Sequence, residues 1–599
     1  MSLRQPYSGP SRKLVLAFDV GTTFSGISYC ILDPGSVPEI RGVTRFPAQE
    51  DVGGDSKIPT IVIYDKQGRF EAAGAEALDP RFEDDDDDTK WVKAEWFKLH
   101  LRPKTKSAAH VTEDIPPLPQ GKTAIDVFAD FLRYLFKCAR LYIEQTHGNG
   151  VELWRGLQPS AEFVLTHPNG WEGAQQNMMR KAAIVAGLIP DTEGGRSRLS
   201  FVTEGEASLH FCIRSGSTSE ATKTGKGIII VDAGGGTIDI STYKQTCASP
   251  QAFEETAPPE CHFKGSIFVT NNARRFLETT MQNSRFLGDV PHITRCFDKT
   301  TKLRFRNAEE NQYIKFGTLK DRDPNLNIRS GQLKLLGQDV ASFFEPSVQC
   351  VVKSVTDQLK ASKAEISSVF LVGGFAASEW LFTQMKKQFG QVGLDVCRPD
   401  SHVNKAVADG AISFHVDHFV NARVSKFAYG TNVRTVYDPE NPEHLARSGR
   451  CSRDLSGALM IGGLFDVILP RDTTVTETHE FRESYYQLGS DPSELNIISS
   501  PIVCYRGKTE MKTSSAQYFV DKEPNMYSLL CHVHADLSRV PKLPRMSTLS
   551  RSKYYAANFD VVLSLGLTEL KAHICWQENG SEKRSPAELV YDPDIVRED

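Results

Sequence analysis

Twice in this chain an apolar run of strand character ends in an aspartate, breaks at a turn of glycines and hydroxyl residues, and resumes as a second apolar run. The first instance passes from residues 14–19 through Gly21, Thr22 and Thr23 to residues 27–32. The second passes from residues 227–232 through Gly234, Gly235, Gly236 and Thr237 to residues 238–243. Short strands joined by so tight a turn read as hairpins. A third apolar run, residues 369–372, ends in Gly373 and Gly374 with no acid, ahead of a helical stretch at 378–389.

Phosphate oxygens need donors that approach closely, and the main-chain N–H groups of a tight turn provide them where side chains do not obstruct. Asp19 and Asp232 each precede such a turn, where a carboxylate can hold magnesium through its water shell. Two half-sites of this kind facing each other would clamp a metal-bound triphosphate. The third turn carries neither acid nor lysine and suits the packing of an adenosine. Gly121-Lys122-Thr123 has the ending of a P-loop, but the glycine required five positions earlier is Pro116 and no apolar strand precedes it. That stretch reads as a helix start: from 124 to 146, Ile125, Phe128, Phe131, Leu132, Leu135, Phe136, Ala139, Tyr142 and Ile143 recur at helical spacing.

Residues 163–165 read as a strand stopped at His167-Pro168, followed by helical composition over 173–187. Strand and helix alternate to about residue 415, which argues for α/β architecture. After Ala422 the texture changes. Phe559, Val561, Leu563 and Leu565 alternate, as do Leu570, Ala572, Ile574 and Trp576, so the last third reads as mostly β, with turns such as 438–442. Glu83 to Asp88, six acids in succession, reads as a solvated loop.

With 599 residues the chain exceeds what one core supports. A net charge of −5 asks for no nucleic-acid surface, and the absence of an apolar run of about twenty residues leaves no membrane span. Residues 1–13 are polar and lead into too short an apolar run for a secretory signal, so they read as a flexible leader. None of the twelve cysteines, dispersed from Cys30 to Cys575, forms a CxxC pair. Reduced thiols in the cytoplasm fit that pattern, and the pairs Cys261-His262 and Cys531-His532 read as incidental rather than metal-binding.

The motifs 19–26, 231–239 and 371–376 resemble the phosphate-one, phosphate-two and adenosine motifs of the actin and heat-shock chaperone ATPase superfamily. The seventy-kilodalton heat-shock proteins are the nearest family, and Gly373-Gly374-Phe375-Ala376 resembles their divergent type-twelve branch. Residues 168–188, 203–207 and 406–411 are similar to segments between and after those motifs. The resemblance implies an α/β, two-lobed actin-like ATPase fold with duplicated RNase H-like cores over 14–417, and ATP or ADP with magnesium in the cleft. A mostly β domain over 418–599 would follow, resembling a substrate-binding sandwich, with 468–475 as its hairpin and 559–561 and 568–576 as its final strands. Ending at Asp599, the chain is expected to lack the family's helical lid.

Carried over residue by residue, the resemblance gives Thr22 and Thr23 the β- and γ-phosphate oxygens. Asp19 and Asp232 would hold magnesium waters and orient the attacking water, and Glu204 would lie near the metal shell. Pro168 would relay the nucleotide state, and Asp239 would complete the second phosphate turn with Gly234, Gly235, Gly236 and Thr237. Gly21 would line the first turn, and Gly373, Gly374 and Phe375 the adenosine.

Three departures stand out. The family's phosphate lysine falls at Leu78, after Gly74-Ala75-Glu76-Ala77, so a cation is missing there. Lys90, Lys93 or Lys98 would have to substitute, although Lys93 and Lys98 flank Trp91, Trp96 and Phe97 and read as covering an aromatic face. Ala377 stands where the family has an arginine, and residues 415–427 lack the apolar linker. The leading expectation is a slow ATPase, splitting ATP and water to ADP and phosphate, with chaperone-like binding of extended polypeptide clients and with cochaperones as partners. The alternative is a scaffold that senses nucleotide with little hydrolysis. A sugar or acetate kinase is more remote, because no acidic base for a small acceptor stands out.

Overall fold

The computed structural model describes residues 4–49, 56–82, 91–103, 115–171, 173–218, 221–222, 225–248, 251–399, 405–512, 518–566 and 569–589. The chain divides into two compact units, residues 1–171 with 178–420, and residues 172–177 with 421–599. The acidic run Glu83 to Asp88, Lys90 and Thr568 lie outside the described residues.

The first unit contains two mixed sheets. In one, the strands run in the spatial order Ile40–Gly42, Phe24–Leu32, Lys13–Val20, Glu162–His167, Leu199–Thr203. In the other, five strands of this unit run Gln251–His262, Ile238–Ala248, Gly227–Ala233, Ile366–Val372, Asp395–Cys397. Each is an antiparallel hairpin with a third antiparallel strand on one side and two parallel strands on the other. The strand order is therefore the same in both halves of the unit.

Burial explains the strand sequences. Residues 14–18 and 228–231 are apolar without interruption because both faces of these central strands are covered. Helix Ala124–Thr146 lays Phe128, Phe131, Leu132 and Leu135 into one core with Leu16, Phe18 and Phe163. Its start is fixed by a capping box: Thr123 accepts from the Asp126 N–H, and the Asp126 carboxylate accepts from the Thr123 N–H. Lys122, the lysine of the P-loop-like triplet, reaches Asp130 at 3.1 Å. On the second sheet, helix Gly337–Ala361 packs Phe343, Phe344, Val351 and Val355 against Ile229, Val231, Val369 and Leu371.

The residues read as a leader carry fixed points, since Arg4 ion-pairs with Asp417 and donates to the Pro38 carbonyl at 2.7 Å. Helix Ala406–Asp417 ends at His418, which is left-handed at φ 47°.

In the second unit one sheet runs Cys451–Arg453, Leu459–Leu469, Ala428–Val436, Ile497–Tyr505, Tyr527–Asp536. Another runs Glu480–Gly489, Lys553–Gly566, Glu569–Glu578, Ser581–Arg584. Leu469, Ile498, Ile502 and Val533 from the first share a core with Val561, Leu563 and Ile574 from the second. The hairpin expected over 468–475 does not form. Leu459–Leu469 pairs with Ala428–Val436, while Thr474–Thr476 turns away to pair with residues 422–424. Asp472, left-handed at φ 58°, donates its N–H to the Ser425 carbonyl at 2.8 Å and redirects the chain. The turn at 438–442 leads into the short helix Pro442–Leu445, capped by Asn441.

Candidate functional site

The two glycine-bearing turns lie against each other. A Cβ added to Gly235 would fall 2.4 Å from Thr23 Oγ1, and one on Gly236 would fall 2.3 Å from Thr22 Oγ1. Only bare main chain permits so close an approach. The carbonyls of Gly234, Gly235 and Gly236 accept from the N–H groups of Ser266, Ile267 and Gly265 at 3.1, 3.0 and 3.2 Å, at the start of helix Ser266–Thr280. Because a trans peptide directs its C=O and N–H oppositely, the amides of Gly235, Gly236 and Thr237 point away from that helix. Among the described residues, the amides of Thr22, Thr23, Gly235 and Gly236 donate to no protein acceptor. Gathered bare donors of this kind attract anions.

Four acids surround the turns. Asp19, at the end of strand Lys13–Val20, accepts from Lys57 Nζ at 2.7 Å on Oδ2 and from Thr166 Oγ1 at 3.0 Å on Oδ1. Asp232 accepts from Ser208 Oγ at 2.6 Å. Asp239 faces Asp232 across the second hairpin and accepts from the Asn169 N–H at 2.5 Å, while its Oδ2 is buried without a protein partner among the described residues. Glu204, the first residue of helix Glu204–Arg214, receives Lys98 Nζ on Oε1.

Burial and like charge govern this cluster. Burial, reinforced by Glu204 and Asp19, pushes the Asp232 carboxyl up to about 7. Asp239 is held well above the ordinary carboxylate range by burial and then by Glu204. For Glu204, burial outweighs the attraction of Lys98, and Asp19 adds to the rise. Burial alone would lower the Lys98 ammonium, but Glu204, Asp19 and Asp239 more than reverse it, so it stays charged. His167 is pushed down to about 4, chiefly by burial, and its Nδ1 bonds the Pro168 carbonyl at 2.9 Å.

Leu78 and Lys98, read as the vacant lysine position and as one of its substitutes, lie in different settings. Leu78 closes the short 3-10 turn Gly74–Leu78, whose Ala75 and Ala77 are core residues. Lys98, one of the three lysines, is buried, its side chain 2% exposed and paired with Glu204. The ring it meets is not among Trp91, Trp96 and Phe97, over which it was expected to lie: its Nζ is 5.8 Å from the Trp171 centroid, and its strong partner is Glu204. The signal in the sequence was a lysine inside the apolar run Phe97-Lys98-Leu99, three residues buried in succession. Lys57, Thr166, Ser208 and Asn169 gave no such signal.

At the third turn Gly373 is at φ 88°, and a Cβ there would lie 2.3 Å from Asp232 Oδ1, so this turn abuts the second acid. Nothing lies within 4 Å of the Cβ position of Gly374. Phe375, assigned to the adenosine, is 5% exposed and packs its ring on Phe344. Arg398 reaches the same turn, donating to the Ala376 carbonyl at 3.3 Å and pairing with Glu379.

No three His, Cys, Asp or Glu side chains among the described residues converge to chelate a metal directly. Asp232 suits magnesium held through its waters, since its raised carboxyl marks a place where added positive charge is favourable, whereas Asp19 already carries the Lys57 ammonium on Oδ2.

No protein-family model matches the chain. It is 23% identical over 583 residues to heat shock 70 kDa protein 12A of Mus musculus, covering 81% of this chain and 80% of that one. The Homo sapiens protein of the same name gives the same identity and coverage. Heat shock 70 kDa protein 12B of Homo sapiens is 22% identical over 564 residues, covering 79% and 78%. Similarity sustained along some four fifths of each chain makes this protein a divergent, type-twelve-like relative of the 70 kDa heat-shock family.

Proposed function

We propose that the first unit is a two-lobed, actin-like nucleotide domain that binds ATP with magnesium and hydrolyses it slowly, and that the mostly β unit grips extended polypeptide. The carrying observation is the approach of Gly235 and Gly236 to Thr23 and Thr22, with free amides on both turns and an acid behind each. Phosphoryl transfer to water needs mainly positioning and charge neutralisation. Thr22, Thr23 and the four bare amides would hold the phosphate oxygens, and Lys98 would oppose the charge that develops on them. Magnesium, when bound, neutralises phosphate charge, with Asp19 and Asp232 holding its waters. Asp232, on the phosphate-two turn, would orient the attacking water. Lys98 favours turnover over a scaffold that only senses nucleotide.

For polypeptide, strand addition is the mode that a unit of two sheets supports. Cochaperone partners and a cytoplasmic setting accompany this reading. No helix among the described residues is long and apolar enough to cross a membrane.

Single-turnover hydrolysis of labelled ATP by the full chain is the test. Slow release of phosphate that Asp232→Asn abolishes supports the reading; tight binding without turnover makes the protein a scaffold. The absence of heat on titrating magnesium and ATP refutes nucleotide binding altogether. Blank peptide arrays would remove the polypeptide role of the β unit.

A further inference from the structure

Across the first hairpin, Asp19 stands opposite Gly26, and Gly26 stands opposite Lys57 on the neighbouring strand Lys57–Pro59. The three positions form one row. Gly26 is what lets the ends of that row meet: a Cβ there would sit 3.3 Å from Lys57 Cγ, in the path the lysine stem follows. The ammonium comes to rest 2.7 Å from Asp19 Oδ2, with side-chain exposures of 16% for Lys57 and 4% for Asp19. Thr166 occupies the other oxygen. The corresponding row of the second hairpin, Asp232, Asp239 and Cys261, carries no cation.

Resting on the nucleotide reading above, we propose that Lys57 is a tethered cation that occupies the magnesium side of Asp19 and makes nucleotide binding only weakly dependent on magnesium. A hydrated magnesium ion approaching Asp19 meets a carboxylate whose oxygens are both engaged, and it meets a positive charge. The same ammonium, held on the acid that precedes the Thr22-Thr23 turn, would attract phosphate oxygens at that turn whether or not the metal is present. Lys57 therefore acts as a determinant of metal dependence rather than as a group that reacts.

The test is calorimetric titration of ADP into the full chain, once with magnesium and once with a chelator, for the wild type, Lys57→Gln and Lys57→Arg. Glutamine keeps a donor toward Asp19 and removes the charge; arginine keeps the charge. The wild type is expected to change affinity by less than about tenfold between the two conditions, and Lys57→Arg to follow it. Lys57→Gln is expected to widen the ratio by a further factor of about ten, mainly through loss of metal-free affinity. A wild-type ratio above about a hundredfold overturns the proposal without any variant, and so does a Lys57→Gln ratio equal to the wild type's. If ADP binds under neither condition, the nucleotide reading itself has failed, which is a different result from binding with the wrong metal dependence.

Discussion

Lys98 and Glu204 form a buried ion pair, with side chains 2% and 10% exposed, so their removal one at a time and together makes a sharp test of the site's electrostatics. Lys98→Met leaves Glu204 buried beside Asp19 with no cation on Oε1, and breaking such a pair from one side costs about 3–5 kcal/mol. Glu204→Gln is milder, because Asp19 and Asp239 still attract the ammonium; about 2 kcal/mol is expected. The double variant removes the charge problem together with the pair and should lie about 2–3 kcal/mol above the sum of the single effects in stability. Urea unfolding of the four full-length proteins at neutral pH, compared at equal m values, reads this coupling as a difference. Additivity within about 0.5 kcal/mol would show that the two groups do not share one buried contact, and the geometry assigned to Lys98 would be wrong. In single-turnover hydrolysis the same Lys98→Met should slow phosphate release by about 10² to 10³. Leu78→Lys should leave it unchanged, since the charge is already supplied.

Gly236→Val should abolish nucleotide binding in calorimetry, because its Cβ would lie 2.3 Å from Thr22 Oγ1. Asp232, at about 7 against an ordinary 3.8, should give a proton-linked affinity: binding of magnesium and ADP weakens about tenfold per pH unit below that value, with proton release detectable by titration in buffers of different ionisation enthalpy. Because its folded pKa is raised, the stability it contributes is present in full below pH 3.8 and lost as the pH rises through about 7, so thermal melts of the unliganded chain should weaken over that window. Thr123→Ala should cost about 1 kcal/mol in urea through loss of the capping box, and Lys122→Ala should leave nucleotide affinity intact, because Lys122 is committed to Asp130.

What the sequence discloses here is whatever is encoded within a few residues. The hairpin turns, the helix 124–146 and its cap all depend on near neighbours, and the structure forms helix Ala124–Thr146 and both hairpins where those patterns lie. Lys98 could be named from the sequence as one of three lysines, but its pairing with Glu204 could not, because that partner is 106 residues away. Lys57 was hidden because only strand register brings it into one row with Asp19. The false hairpin at 468–475 came from the resemblance, and strand register, which a local match does not fix, pairs its two halves elsewhere.

The shared strand order of the two sheets explains why the acids fall where they do, and their different neighbours explain why the two are not equivalent. In each half the acid ends the first strand of a hairpin, beside the end of a parallel strand: Thr166 bonds Asp19, and Gly373 abuts Asp232. Ligands in sheets of this kind gather beyond the carboxyl ends of the strands. Yet Asp19 has an ammonium bonded to it, whereas Asp232 is bonded by the Ser208 hydroxyl, faces two further acids and feels the Lys57 charge only as its weakest neighbour. A neutral hydroxyl cannot offset burial as a cation does, so the second acid rises toward neutrality. Symmetry of backbone thus produces two facing donor turns, and asymmetry of side chains raises the carboxyl of Asp232 and sets the fixed positive charge on the side of Asp19.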